Sequence, residues 1–245
     1  MNPVLPLDNV RIVLSHTSHP GNIGATARAM KTMGLSQLYL VNPKSFPDRE
    51  ADARASNARD ILESACVCTS LEEAMGDTFL AAALTARSRD LSHPTCNARR
   101  AAIELIQYAH HHPVALLFGR ESAGLTSAEI SHCQLTVQIP ANPAYSSLNL
   151  AAAVQIMAYE LRMVLEEAGG VEDNPRLSEP ASLQEIEGLH HHLEEVMVQS
   201  GFLDPVQPKR LMRRMRRLFA RTRLEKEEVN ILRGLLTAVN PHKST

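Results

Sequence analysis

The sequence predicts an α/β fold in which a parallel sheet is flanked by helices and followed by an all-helical extension. Short apolar runs alternate with helical patterns through the first two thirds of the chain. Those runs lack the polar alternation of a half-solvated strand, and past residue 170 only helical periodicities remain.

VRIVLS (10–15), LYLV (38–41), FLAAAL (79–84), VALLFG (114–119) and LTVQIP (135–140) are the apolar runs. Each ends at or just before Gly, Pro, Asn, Ser or Thr, which suits strands buried on both faces. Between them Ile23 to Met33, Leu71 to Met75, Ala98 to His110 and Ser127 to His132 have helical spacing. A longer helix, Leu148 to Ala168, is stopped by Gly169-Gly170. Residues 169–182 have the Gly, Pro, Ser and acidic composition of a linker. Helices are then predicted at Leu183 to Gln199, near Pro208 to Ala220, and at Lys226 to Asn240. The expected organisation is a domain over 1–168, a linker over 169–182 and a helical extension over 183–245.

At 245 residues and 44% hydrophobic content the chain can bury one full core and carry a smaller appended unit. A net charge of −2 gives no global sign of a polyanion partner, so such a reading must come from where the charges lie. Cys66, Cys68, Cys96 and Cys133 have neither zinc-site spacing nor the density of a disulfide scaffold, which points to a reducing cytosol. No apolar stretch approaches the roughly 20 residues that a bilayer requires, so a cytoplasmic protein is expected. The runs His110 to His112 and His190 to His192 do not set several imidazoles on one face with the cysteines, and no metal is expected.

Charge is concentrated in the extension. Lys209, Arg210, Arg213, Arg214, Arg216, Arg217, Arg221 and Arg223 fall in fifteen residues with no acid among them. Leu211, Met215, Leu218 and Phe219 would form one apolar face while the arginines cover the rest. Guanidinium planes match phosphate with paired hydrogen bonds, so the segment reads as an RNA-backbone contact through Lys209, Arg210, Arg213, Arg214, Arg216 and Arg217. The alternatives are a membrane surface, a partner protein, or a solvated face paired with Glu225, Glu227 and Glu228.

Three constellations carry chemistry. In SHTSHPGNIGATARAMKTMG (15–34) a Pro20-Gly21-Asn22 turn opens a helix, Gly24 allows close approach of a ligand or another helix, and Arg28 projects from the first turns. In LLFGRESAGLTSAEI (116–130) a buried strand breaks at Gly119, where the chain can pass close to a ligand ring, and Gly124 offers a positive-φ turn. In IPANPAYSSLNLAAAVQIMAYE (139–160) a strand end leads through a polar loop to a helix for which Ser146 and Ser147 are competent N-caps. Neither a dinucleotide fingerprint nor a Walker loop is present.

In order and spacing these three stretches resemble the motifs of the SPOUT superfamily of methyltransferases, and within it the TrmJ-type tRNA 2′-O-methyltransferases. The likeness covers the whole chain and includes TARSR (85–89) and the ending ExxNILRGLL (227–236). It implies a trefoil knot in the C-terminal part of the first domain, S-adenosylmethionine as cofactor, tRNA as substrate and a homodimer whose active sites combine both subunits. Leu84, Thr85, Ala86, Gly119, Arg120, Glu121, Ile139, Ser147, Leu148 and Asn149 would line the cofactor pocket. Arg28 would act on the ribose 2′-hydroxyl, with Asn22 holding the loop or the substrate and Ser147 orienting the ribose or Arg28. The implied target is the first nucleotide of the anticodon loop, nucleotide 32, cytidine or uridine. The alternatives are the same fold acting on another RNA such as rRNA or on a base nitrogen, and a non-catalytic RNA-binding protein.

Overall fold

A computed structural model describes residues 6–86, 95–167 and 179–240. Among these, β1 (Val10–Ser15), β2 (Gln37–Val41), β3 (Cys66–Cys68), β4 (Leu80–Leu84), β5 (Thr95–Asn97), β6 (Val114–Phe118) and β7 (Leu135–Gln138) form one sheet. Its order is β3-β2-β1-β6-β4-β7-β5 and every pairing is parallel. The five predicted strands are all present. Strands β4 and β6 are buried throughout, as runs without polar alternation require.

The short helices of the first domain are α2 (Arg49–Ala55), α3 (Arg59–Glu63), α4 (Leu71–Met75) and α6 (Ser127–Ile130). The longer α1 (Pro20–Met33), α5 (Ala98–Ala109) and α7 (Leu150–Glu167) supply much of the apolar cover of one sheet face. Helices α2 and α3 and strands β3 and β5 were not expected from the sequence. Asp48 caps α2 by accepting from the Glu50 amide at 2.8 Å, and the helix then buries Ala51 and Ala55. That packing explains Gly24: a Cβ there would lie 2.0 Å from the Ala51 carbonyl oxygen. Of the two roles open to Gly24, the structure selects close approach of a neighbouring helix.

The extension consists of α8 (Leu183–Gln199), α9 (Leu211–Thr222) and α10 (Lys226–Val239). Ser182 and Glu185 form a reciprocal capping box at the start of α8. The Leu183 and Gln184 amides donate to Thr78 and Gly76 carbonyls at 2.8 Å each, which seats this end on the first domain. Ala181, Leu189, Leu224 and Val229 make a small separate core. Helix α9 begins at Leu211 rather than near Pro208, so Lys209 and Arg210 precede it. Of the expected linker, only residues 179–182 fall within the described part. Among the described residues no helix is long and apolar enough to cross a membrane.

Candidate active site

A parallel sheet puts the carboxyl ends of its strands on one edge, and ligands in such folds bind there. Strands β1, β6, β4 and β7 are neighbours, so the chain leaving each of them emerges at the same place. The result is a solvent-open cleft of about 1050 Å³, walled by residues from the ends of β4, β6 and β7 and the start of α7. Leu84, Thr85, Ala86, Gly119, Arg120, Glu121, Ile139, Ser147 and Leu148, all expected around a cofactor, line it. The Phe118, Leu125, Val137 and Leu150 side chains complete an apolar interior.

The loop after β6 closes on itself. Arg120 and Gly124 form an antiparallel bridge, with the Gly124 amide donating to the Arg120 carbonyl at 2.8 Å. A Cβ on Gly119 would lie 2.3 Å from both the Gly124 carbonyl carbon and the Leu125 amide nitrogen. Gly119 is therefore required by its own loop, a reason that stands beside the close ligand approach expected of it. Gly124 has φ +66, as a positive-φ turn predicts.

Glu121 ties this loop to the one after β1. Its carboxylate accepts from the Ser18 amide at 3.0 Å, the Ser18 hydroxyl at 2.7 Å, the His19 amide at 3.2 Å and the Asn22 side chain at 2.9 Å. Burial opposes its ionisation, but these donors outweigh burial and hold the carboxyl down at about 2. The Asn22 side-chain oxygen in turn accepts from the Asn149 side-chain Nδ2 at 3.0 Å. A single hydrogen-bonded chain, Glu121 to Asn22 to Asn149, thus joins all three sequence motifs.

Asn149 departs from its expected place in the cofactor wall. Its side-chain oxygen accepts from the Ala151 and Ala152 amides at 3.0 and 3.4 Å, so it caps α7, and it is absent from the cleft lining. This also corrects the assignment of the cap to Ser146 or Ser147, which stay exposed, with Ser147 on the cleft wall. A buried carboxylate, Glu129, braces the end of β1: the Ser15 hydroxyl donates to it at 2.5 Å and the Thr126 amide at 2.6 Å. Sequence reasoning passed over Glu129, although T-x-x-E at 126–129 is a capping-box signature.

Arg28 is exposed on α1, is not among the residues that line the cleft, and has no ion pair among the described residues. Arg87 to Arg89 of the TARSR segment lie outside the described residues. Among those described, no group of three or more His, Cys, Asp or Glu is arranged to hold a metal ion.

The basic segment divides into two sets. Arg216, expected on RNA, instead grips Glu187 with both terminal nitrogens, Nη2 at 2.7 Å from Oε2, and lies 3.2 Å from His190 Nδ1. Burial opposes ionisation of Glu187, but hydrogen bonds from His190 and Arg216 bring it down to about 2. Arg223 binds Glu104 of α5. Neither acid was among the partners foreseen for a solvated face. Lys209, Arg210, Arg213, Arg214 and Arg221 are exposed and Arg217 half-buried, with no ion pair among the described residues.

Comparison with known proteins accords with this architecture. Residues 9–159 match the SpoU rRNA Methylase family, and residues 184–245 match the C-terminal domain of tRNA methyltransferase TrmJ. The chain is 47% identical over 234 residues to the tRNA (cytidine/uridine-2′-O-)-methyltransferase TrmJ of Pectobacterium atrosepticum, covering 95% of this chain and 97% of that protein. It is also 47% identical to the tRNA (cytidine/uridine/adenosine-2′-O-)-methyltransferase TrmJ of Pseudomonas aeruginosa, over 94% of this chain and 93% of that one. The crystal structure of TrmJ from Z. mobilis ZM4 superposes with a TM-score of 0.83 at 31% identity, covering 94% of this chain and 98% of the other. With both of its parts matched in sequence and its fold matched in space, the chain belongs to the SpoU methylase family and, within it, to the TrmJ-type tRNA 2′-O-methyltransferases.

Proposed function

We propose that this protein is a cytoplasmic, homodimeric enzyme that methylates the ribose 2′-hydroxyl of tRNA in the anticodon loop. The target is nucleotide 32, cytidine or uridine, and the methyl donor is S-adenosylmethionine. The observation that carries the reading is the hydrogen-bonded chain from Glu121 through Asn22 to Asn149, which links three motif loops beside one cleft. Family membership supplies the reaction class, and the tRNA named for the relatives supplies the substrate.

The cleft suits the donor. Phe118, Leu125, Val137 and Leu150 give its interior apolar side chains, and backbone at Leu84, Gly119 and Ile139 is there to read an adenine ring. When bound, the donor supplies an electrophilic methyl group on a sulfonium. The task left to the chain is to hold the ribose oxygen in line behind that methyl, and such alignment can remove about 7–11 kcal/mol of barrier.

Arg28 is a poor proton acceptor, since a guanidinium offers five N–H donors and no acceptor. On this reading it stays charged, clamps a substrate phosphate and stabilises the developing alkoxide, while that phosphate or water takes the proton. Arg28 is not among the residues that line its own cleft, and on this reading it serves the cleft of the second subunit, with α7 in the interface. Ser147, with its exposed hydroxyl on the cleft wall, orients the ribose or Arg28. Lys209, Arg210, Arg213, Arg214 and Arg217 contact the RNA backbone.

Mass spectrometry of tRNA nucleosides from cells with and without this protein tests the reading. Loss of 2′-O-methylcytidine or 2′-O-methyluridine from the anticodon loop is expected. An unchanged nucleoside profile would overturn it.

A further inference from the structure

Two of the eight cations in the basic segment are spent inside the protein, and both attach α9 to something else. Arg223 closes α9 with φ +52, a left-handed conformation that costs an arginine more than a glycine. Its side chain makes four hydrogen bonds. Two go to Glu104 Oε1 on α5, at 3.0 and 2.8 Å; one goes to the Gln134 carbonyl at 3.1 Å and one to the Ala220 carbonyl at 2.7 Å.

Gln134 is itself fixed to the sheet. Its amide donates to the Ala81 carbonyl at 3.0 Å, and its side chain accepts from the Ala81 amide at 2.8 Å. Three and five residues downstream, Val137 and Ile139 form part of the cleft wall. The end of α9 and the cofactor cleft therefore share one rigid frame. One turn and more upstream, Arg216 makes a second attachment through Glu187 of α8, whose carboxylate also lies 3.6 Å from His132 of the first domain.

We propose that Arg223 and Arg216 are positioning residues that clamp the basic helix to the catalytic domain in one orientation. The exposed cations, Lys209 through Arg221, then meet the tRNA backbone as a preset surface at a fixed distance from the cleft. The proposal rests on the tRNA reading above and deepens it, because it separates arginines that touch phosphate from arginines that aim the others.

The two roles have opposite electrostatic signatures. An arginine on a phosphate releases counterions, so its loss flattens the plot of log affinity against log salt by about 0.7–0.9 per contact. A clamp arginine pairs with an acid of its own protein, so its loss lowers affinity without changing that slope. Glu104→Gln separates them further. It removes a negative charge from a protein that binds a polyanion, so simple electrostatics calls for tighter tRNA binding, whereas a broken clamp gives weaker binding.

The test uses the full chain and an unmodified tRNA transcript, with affinity followed over a range of KCl concentrations for Glu104→Gln, Arg223→Gln and Arg213→Gln. Near-native melting curves serve as the check on folding. The expected result is a five- to tenfold loss of affinity for Glu104→Gln and Arg223→Gln with the wild-type slope, and a flatter slope for Arg213→Gln. The Glu104→Arg, Arg223→Glu pair should regain at least half of the lost affinity. Tighter or unchanged binding by Glu104→Gln, or a flattened slope for Arg223→Gln, would overturn the clamp. Failure of the wild-type chain to bind tRNA at all would instead overturn the functional reading, so the two failures are distinguishable.

Discussion

Asn22 and Glu121 hold together the two loops that flank the cleft: the Asn22 side chain donates to Glu121 Oε1 at 2.9 Å, and the same carboxylate accepts from Ser18 and His19. Glu121→Gln puts an amide donor among four donors, so the loop after β1 should loosen. We expect methyl transfer to tRNA to fall by about 10²-fold, in line with misplaced catalytic groups, and stability to fall by about 1–3 kcal/mol at neutral pH. Because its folded value of about 2 lies below the ordinary 4.5, the ionised carboxylate stabilises the fold in full above that ordinary value. The contribution drains away as pH falls toward 2. Urea midpoints of wild type and variant should therefore differ at pH 6, draw together below pH 4.5 and converge only near pH 2; a gap that stays constant would count against the assignment.

Arg28 has no ion pair among the described residues and stands outside the cleft wall of its chain. Arg28→Lys keeps the charge but removes the planar, paired donors, so transfer should drop by about 10²–10³-fold, the range seen on removing one stabilising donor. Calorimetry with S-adenosylmethionine should give an affinity within about twofold of wild type. Collapse of cofactor affinity along with activity would place Arg28 in the cofactor pocket.

The cap of α7 gives a sharp contrast among neighbours. Asn149→Ala should cost about 1 kcal/mol from the lost cap alone, or about 2–4 °C in melting temperature for a chain of this size. Ser146→Ala and Ser147→Ala should leave the melting temperature unchanged, since neither hydroxyl caps the helix. Ser147→Ala should still lose activity. A destabilised Ser147→Ala would reopen the question of which residue starts the helix.

Gly24 meets the Ala51 carbonyl where a Cβ would stand only 2.0 Å away. Gly24→Ala must push α2 off α1, so we expect a loss of about 1–3 kcal/mol, typical of overpacking. Differential scanning calorimetry should register it, and cofactor affinity should change little. A neutral substitution would mean that α2 shifts freely.

The buried strands were legible because apolar runs without alternation fit few other structures, and long helices because their periodicity persists over several turns. What escaped was short or low in contrast. Strands β3 and β5 have three residues each, too few for any period, and each pairs with a single neighbour. Helix α2 turns an alanine face, Ala51 and Ala55, to the core, so hydrophobic periodicity is faint, although Asp48 after Pro47 is a readable start signal. The cleft wall was legible through motif order. The structural work of Glu121 and Asn149, tying the motif loops together and capping α7, was not read from the sequence, because a residue that binds its own protein and one that binds a ligand can share a motif. The ion pair of Arg216 escaped for a related reason: its partner Glu187 lies 29 residues away, on another helix.

The self-closing loop between Gly119 and Gly124 has a kinetic corollary. A loop held by its own bridge keeps one shape whether or not a small molecule rests against it. No ordering step then precedes capture, and the spent product can leave without the wall having to melt.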